Sequence, residues 1–160
     1  MNFFRDIVLN FPLICAATGW LSAQIIKIFT GIFKLQSFNF TTLMFGTGGM
    51  PSSHTAAVCA LAVGCALSRG PGSAAFAISV ILAMIVIRDA TGVRHEVGKH
   101  AKALNLIMSD LVTAKDQDSF DQNFKELVGH TGTQVFVGAI VGIAVPFLMS
   151  IIPAYEIWVG

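Results

Sequence analysis

His54, His130, Lys27 and Arg94 are the groups in this chain best suited to act on an anion, and each lies near the end of an apolar stretch. His54 closes Pro51-Ser52-Ser53-His54, which follows Gly48-Gly49 and precedes an apolar run to Leu67. Proline is accepted in a first helical turn, where its missing N–H would be unpaired anyway, and serine caps the N–H groups that remain. A helix start carries roughly half a positive charge and offers N–H groups to an anion. An imidazole there can pass a proton to whatever is bound. An ordinary cap beside a core histidine explains the tetrapeptide equally well. Gln24 and Lys27, three apart, share one face of an apolar segment. A lysine at such depth either faces a polar cavity or snorkels to the interface. Asp89 and Arg94 end another apolar segment, where Asp89 either pairs with Arg88 or Arg94 or takes part in proton transfer. His130, Gln134, Gly138 and Gly142 recur every fourth residue, so one helical face carries an imidazole, an amide and two glycines.

The elements that must hold these groups are membrane helices. Hydrophobic residues make up 54% of the 160 and charged residues 12%, against about 25% charged in a soluble domain. Net charge is +1, and no basic cluster is interleaved with aromatics, so nucleic acid is not expected as a partner. Cys15, Cys59 and Cys65 lie inside apolar runs and read as small buried hydrophobes. A cleavable signal peptide is not evident, because Arg5 is offset by Asp6 and the apolar stretch runs on too long. Phe3, Phe4, Ile7 and Val8 form one face of an interfacial lead-in.

Phe11–Phe33 is long enough to span a bilayer at about 20 residues per crossing. A polar, glycine-rich loop over 34–50 leads to a second segment at 52–68, short for a crossing, with a small-residue stripe at Ala56, Ala60, Gly64 and Ser68. After a turn at 68–72, a third segment runs from Ser73 past Ile87 into its charged end. Residues 96–129 read as amphipathic membrane-surface helices, one face carrying Leu104, Ile107, Met108 and Leu111. A last crossing covers 131–152, bent at Pro146, with Tyr155 and Trp158 suited to the interface beyond it. The expectation is therefore a single domain over 1–160, an all-α polytopic bundle of four crossings, or five if 96–129 dips in. Four crossings in series put Lys27, His54, Arg88, Asp89, Arg94 and His130 all on the side away from the N-terminus. Chance would scatter them over both sides. Most lysines and arginines share that side, which the positive-inside rule would make cytoplasmic.

Taken together, these residues resemble a known family. Pro51-Ser52-Ser53-His54 is similar to the Pro-Ser-Gly-His motif of the type 2 phosphatidic acid phosphatase superfamily, which also includes acid phosphatases and vanadium-dependent haloperoxidases. His130-Thr-Gly-Thr-Gln134, with Gly138 and Gly142 behind it, resembles the superfamily's last motif. With Gln24-x-x-Lys27, Asp89-Ala-Thr-Gly-Val-Arg94 and Leu104-Asn105, the likeness runs from about Trp20 to Gly142 and fits the divergent small-membrane-protein branch. The resemblance implies a phosphatase acting through a phosphohistidine, with no metal and no cofactor. It makes His130 the nucleophile, oriented by Gln134, and His54 the general acid. Lys27, Arg94, Ser52, Ser53 and helix N–H groups would hold the phosphoryl oxygens, with Gln24 beside them. Phosphoryl transfer needs positioning and concentrated positive charge more than new bonding partners.

Three departures stand out. Gln134 replaces the aspartate that follows the nucleophile, Phe124 replaces an arginine six residues before it, and the first motif lacks its Arg-Pro end. Arg94 and His100 repeat the Arg-x5-His spacing, which makes His100 a competing nucleophile, although Leu104 stands where an aspartate should. The function implied is hydrolysis of a phosphate or diphosphate on a phospholipid or isoprenoid, by a multi-pass protein of the cell membrane; a homo-oligomer is left open. Its rival is a non-catalytic lipid-phosphate carrier or scaffold that keeps the pocket. A channel fits poorly, because the polar groups cluster at one end.

Overall fold

The computed structural model describes residues 3–33, 50–111 and 131–152, and these form helices. Helix α1 is Phe3–Val8 and α2 is Phe11–Phe33. Asn10 starts α2 by accepting the Leu13 N–H on Oδ1 at 3.2 Å, with Pro12 in the first turn where it costs no bond. Helix α3 is Ser53–Arg69, capped by Ser52 and ended by Gly70, whose positive φ of 81° glycine adopts without a Cβ penalty. Helix α4 is Ala74–Arg88, capped by Ser73. It does not stop at its charged end. A π-helical turn, Asp89–Val93, carries it into α5, Arg94–Leu111. The third segment thus runs past Ile87 into its charged end as expected, and goes on without a break into the stretch expected as a surface helix: no proline interrupts 88–111, and the π turn lets the helix pass Gly92 without ending. Helix α6 is Gly132–Ser150, with Pro146 inside it.

Helix α3 is the centre of the bundle and packs against α2, α4 and α6. Its small residues make this possible. A Cβ on Gly19 of α2 would lie 2.8 Å from Ala60 Cβ, and one on Gly64 of α3 would lie 3.0 Å from Pro12 Cα. Residues 12 and 19 thus meet 64 and 60, so α2 and α3 are antiparallel. Gly138 meets Ser52 and Thr55, and Gly142 meets Ala56 and Cys59, so α3 and α6 run parallel. The buried ladder of α2 steps by four through Phe11, Cys15, Gly19, Ala23 and Lys27, changing from apolar to charged along one face.

Large apolar side chains point outward instead. Ile78, Ile81, Met84 and Ile85 on α4, and Phe136, Ile140, Ile143 and Phe147 on α6, are exposed. Small and polar groups inside with bulky aliphatics outside is the arrangement of a bundle whose solvent is lipid. Three described helical stretches are long and apolar enough to cross a membrane: Phe11–Thr30, Ala74–Ile107 and Gly132–Ser150. Of the four crossings expected, the segment now seen as α3 does not reach that length. Its 17 residues rise about 25 Å against a hydrocarbon core of about 30 Å, and its small side chains face protein on three sides. The fold is an all-α membrane bundle. All three cysteines are free, with Cys15 and Cys65 buried as small hydrophobes. The amphipathic stretch after 111, Met108 and Leu111 as side chains, and Tyr155 and Trp158 lie outside what is described.

Candidate functional site

Two hydrogen bonds gather three chain segments at one end of the bundle. The Thr30 hydroxyl on the last turns of α2 donates to Met50 O at 2.8 Å, with Lys27 O of its own helix as a second, longer acceptor at 3.1 Å, tying the Lys27 end of that helix to the chain entering Pro51. The Ser52 N–H donates to Gln134 O at 3.0 Å, tying the start of α3 to the first turn of α6. Beneath that bond the backbones touch: a Cβ on Gly138 would lie 2.5 Å from Ser52 O. His54 is therefore carried on a helix start that is bonded to the turn following residue 130.

Within this frame the residues expected from the sequence divide by what they touch. Ser52 is fully buried, and its hydroxyl accepts from the Thr55 N–H at 3.4 Å and from the Thr55 hydroxyl at 3.0 Å. That makes it a helix cap whose hydroxyl oxygen already accepts two hydrogen bonds. Ser53 is buried in the first turn of α3 and His54 beside it is exposed. Of the two readings of that motif, the cap holds for Ser52, while the imidazole is no core residue. Gln24 and Lys27 are both buried, Lys27 at 6% exposure, so its ammonium turns into the bundle and does not snorkel. Asp89 is half-buried at the head of the π turn, which touches α6, and Ala90 behind it is buried. π turns of this kind are frequent at functional sites. His100 is exposed on α5. The side chain of Arg94, and His130 altogether, lie outside the described residues.

Gln134 has a use that the resemblance does not suggest. Its Oε1 accepts the Thr131 N–H at 3.0 Å, one half of a capping box. Thr131-x-x-Gln134 is the sequence signature of that motif, so the signal was present in the residue types alone. Gln134 thereby holds the chain at Thr131 with its side chain and the start of α3 with its carbonyl. Thr30 had no such signal, because its partner lies 20 residues away in sequence. Its removal makes a clean test. Thr30→Val should cost about 1 kcal/mol or less, the net worth of a partly exposed hydrogen bond. Hydrogen exchange at Ser52–Thr55 should accelerate, while exchange in the middle of α2 stays unchanged. Equal exchange in both proteins would show that the start of α3 is held by something else.

The profile of the divergent PAP2 family matches residues 8–145. A chain from Bacillus subtilis (strain 168), named uncharacterized membrane protein YuiD, is 37% identical over 159 residues, covering 94% of this chain and 98% of the relative. No solved structure matches significantly. The matched span begins ahead of α2 and closes within α6, so it contains every helix that builds the shared end, and the chain belongs to the divergent PAP2 family.

Proposed function

We propose that this membrane protein hydrolyses a phosphate or diphosphate carried on a phospholipid or isoprenoid, through a phosphohistidine and without a metal. The observation that supports it most is the Ser52–Gln134 backbone bond, which couples the helix start bearing His54 to the turn that follows His130. In this reading the His130 imidazole attacks the terminal phosphorus, its bond to the oxygen on the lipid side breaks, and His54 gives its proton to the departing alkoxide of a monophosphate or to the departing lipid phosphate of a diphosphate. Water then attacks the phosphohistidine, His54 takes up the proton that the water loses, and phosphate leaves with His130 restored. Lys27 and Arg94 balance the charge on the phosphoryl oxygens, arginine through two parallel N–H donors. Ser53 and Gln24 complete the contacts, and Asp89 serves the proton traffic from the π turn. Ser52 and Gln134 act by fixing backbone. Membrane burial of the bundle favours a substrate whose phosphate is tethered at the headgroup level, in the cell membrane.

One observation favours the rival reading, a non-catalytic holder of lipid phosphate. Where the superfamily has a carboxylate, Gln134 is neutral, and its oxygen is engaged by the Thr131 N–H. An amide cannot stabilise an imidazolium as a carboxylate does. Purified protein offered phosphatidate and isoprenoid mono- and diphosphates decides between the two. Phosphate release with a labelled histidine trapped during turnover supports the enzyme. Tight vanadate binding with neither release nor label means that the pocket has been kept without its chemistry.

A further inference from the structure

The opposite end of the bundle holds a cleft of about 700 Å³, between the junction of α1 with α2 and the turn from α3 to α4. Phe11 lines this cleft and Lys27 the other end of the same helix, so about 24 Å of helix separates the two places. Leu13, Leu61 and Ala75 form its apolar wall, and Leu13 continues onto the exposed outer surface of α2. Helix α1 beside it exposes Phe3 and Phe4, which is how a short segment seats itself at a lipid surface.

The polar lining is selective. Ser68 spends its hydroxyl on Gly64 O at 2.8 Å, and Asn10 spends Oδ1 on the start of α2. The charged groups of the lining are one carboxylate, Asp6, and one guanidinium, Arg69. Among the described residues neither makes an ion pair or a hydrogen bond, with the other or with anything else. A cleft with apolar walls open to lipid and a single charge of each sign complements a ligand with an acyl tail, one anionic group and one cationic group.

We propose that this cleft binds a zwitterionic phospholipid bearing a primary ammonium, its phosphodiester on Arg69 and its ammonium on Asp6. The guanidinium fork matches two phosphate oxygens. The carboxylate accepts N–H hydrogens, which a primary ammonium has and a quaternary one lacks. The acyl chains leave along Leu13. The site is independent of the phosphatase reading, because it shares no residue with the histidine end.

Native mass spectrometry of the full chain, released from detergent with equal amounts of phosphatidylethanolamine, phosphatidylcholine and phosphatidylglycerol of one acyl composition, tests it. Phosphatidylethanolamine should be retained about fivefold over either of the others, the scale of one partly exposed ion pair. Asp6→Asn should bring ethanolamine and choline lipids level, and Arg69→Gln should lower retention of every phospholipid. His54→Asn, at the other end, should leave the preference intact. Soluble glycerophosphoethanolamine should compete far more weakly than the lipid; equal competition overturns the lipid assignment. Equal retention of the three lipids by the native chain, or a preference indifferent to both charge variants, means a lipid belt without a site. A preference lost in His54→Asn places the lipid at the histidine end, which overturns the proposal and leaves the phosphatase reading standing.

Discussion

His130→Ala is expected to reduce phosphate release from a lipid phosphate by at least about 1,000-fold, the scale on which losing a covalent nucleophile leaves only binding and electrostatic stabilisation. His54→Asn should cost about 100- to 10,000-fold, the usual contribution of a positioned general acid. The two losses differ in kind. A general acid matters in proportion to how badly the leaving group needs a proton, so the deficit in His54→Asn should shrink on a phenolic phosphate and stay large on an alkyl one. The deficit in His130→Ala should be the same on both. Because the residues act in one step, the double variant should fall little below His130→Ala alone. His100 is exposed on α5, and His100→Ala should keep turnover within about twofold, the range of an uninvolved surface position. Unchanged release in His130→Ala would falsify the assignment, and a loss confined to His100→Ala would move the nucleophile to the Arg94-x5-His100 pair.

The second large effect is on folding and is expected at the glycines of α6. A Cβ on Gly142 would be forced against Ala56 O, with Cys59 Cβ at 2.8 Å and Ala56 Cα at 2.9 Å. On Gly138 it would meet Ser52 O at 2.5 Å. The closest of these neighbours are backbone atoms, which cannot rotate away, so the helices must separate. Gly142→Ala should therefore destabilise the detergent-solubilised protein by about 2–3 kcal/mol, the upper part of the usual overpacking range, and Gly142→Leu should abolish the folded bundle. Gly138→Ala should cost a similar amount and also lengthen the Ser52–Gln134 bond, so it should slow turnover beyond what its stability loss explains. Gly132, where an added Cβ meets nothing within 4 Å, is the control: Gly132→Ala should change stability by less than about 1 kcal/mol. If Gly142→Ala unfolds no sooner than Gly132→Ala under graded denaturant, the α3–α6 contact is not the tight one described.

Both expectations connect chemistry to packing. Gly138 is a spacer in α6, yet the atom it leaves room for is the carbonyl of the residue that caps the helix carrying His54. A change at residue 138 thus reaches the site through one carbonyl and one N–H, with no side chain between them. The family match covers both glycines along with the motif residues.

Residue order and type alone were enough to place most of the described helix starts, because capping and apolar length are local properties. Ser52 and the onset near Ser73 mark starts that the structure reproduces, and the turn at 68–72 marks an end at Gly70. The family was legible too, since its motifs are short and keep their order along the chain. What lay beyond local reading were the pairings across distance. Nothing in the neighbourhood of Thr30 announces Met50, and nothing near Ser52 announces Gln134, because each bond closes a loop whose length carries no information about its partner. Whether Lys27 snorkels or turns inward was likewise settled by its neighbours in space: it is the fifth step of a ladder that packs inside the bundle. The passage from α4 into α5 depended on a π turn, whose extra residue per turn leaves no mark in hydrophobic periodicity. Among the described residues, sequence therefore determined where helices start and which side chains they carry, while tertiary packing alone decided which of their ends meet.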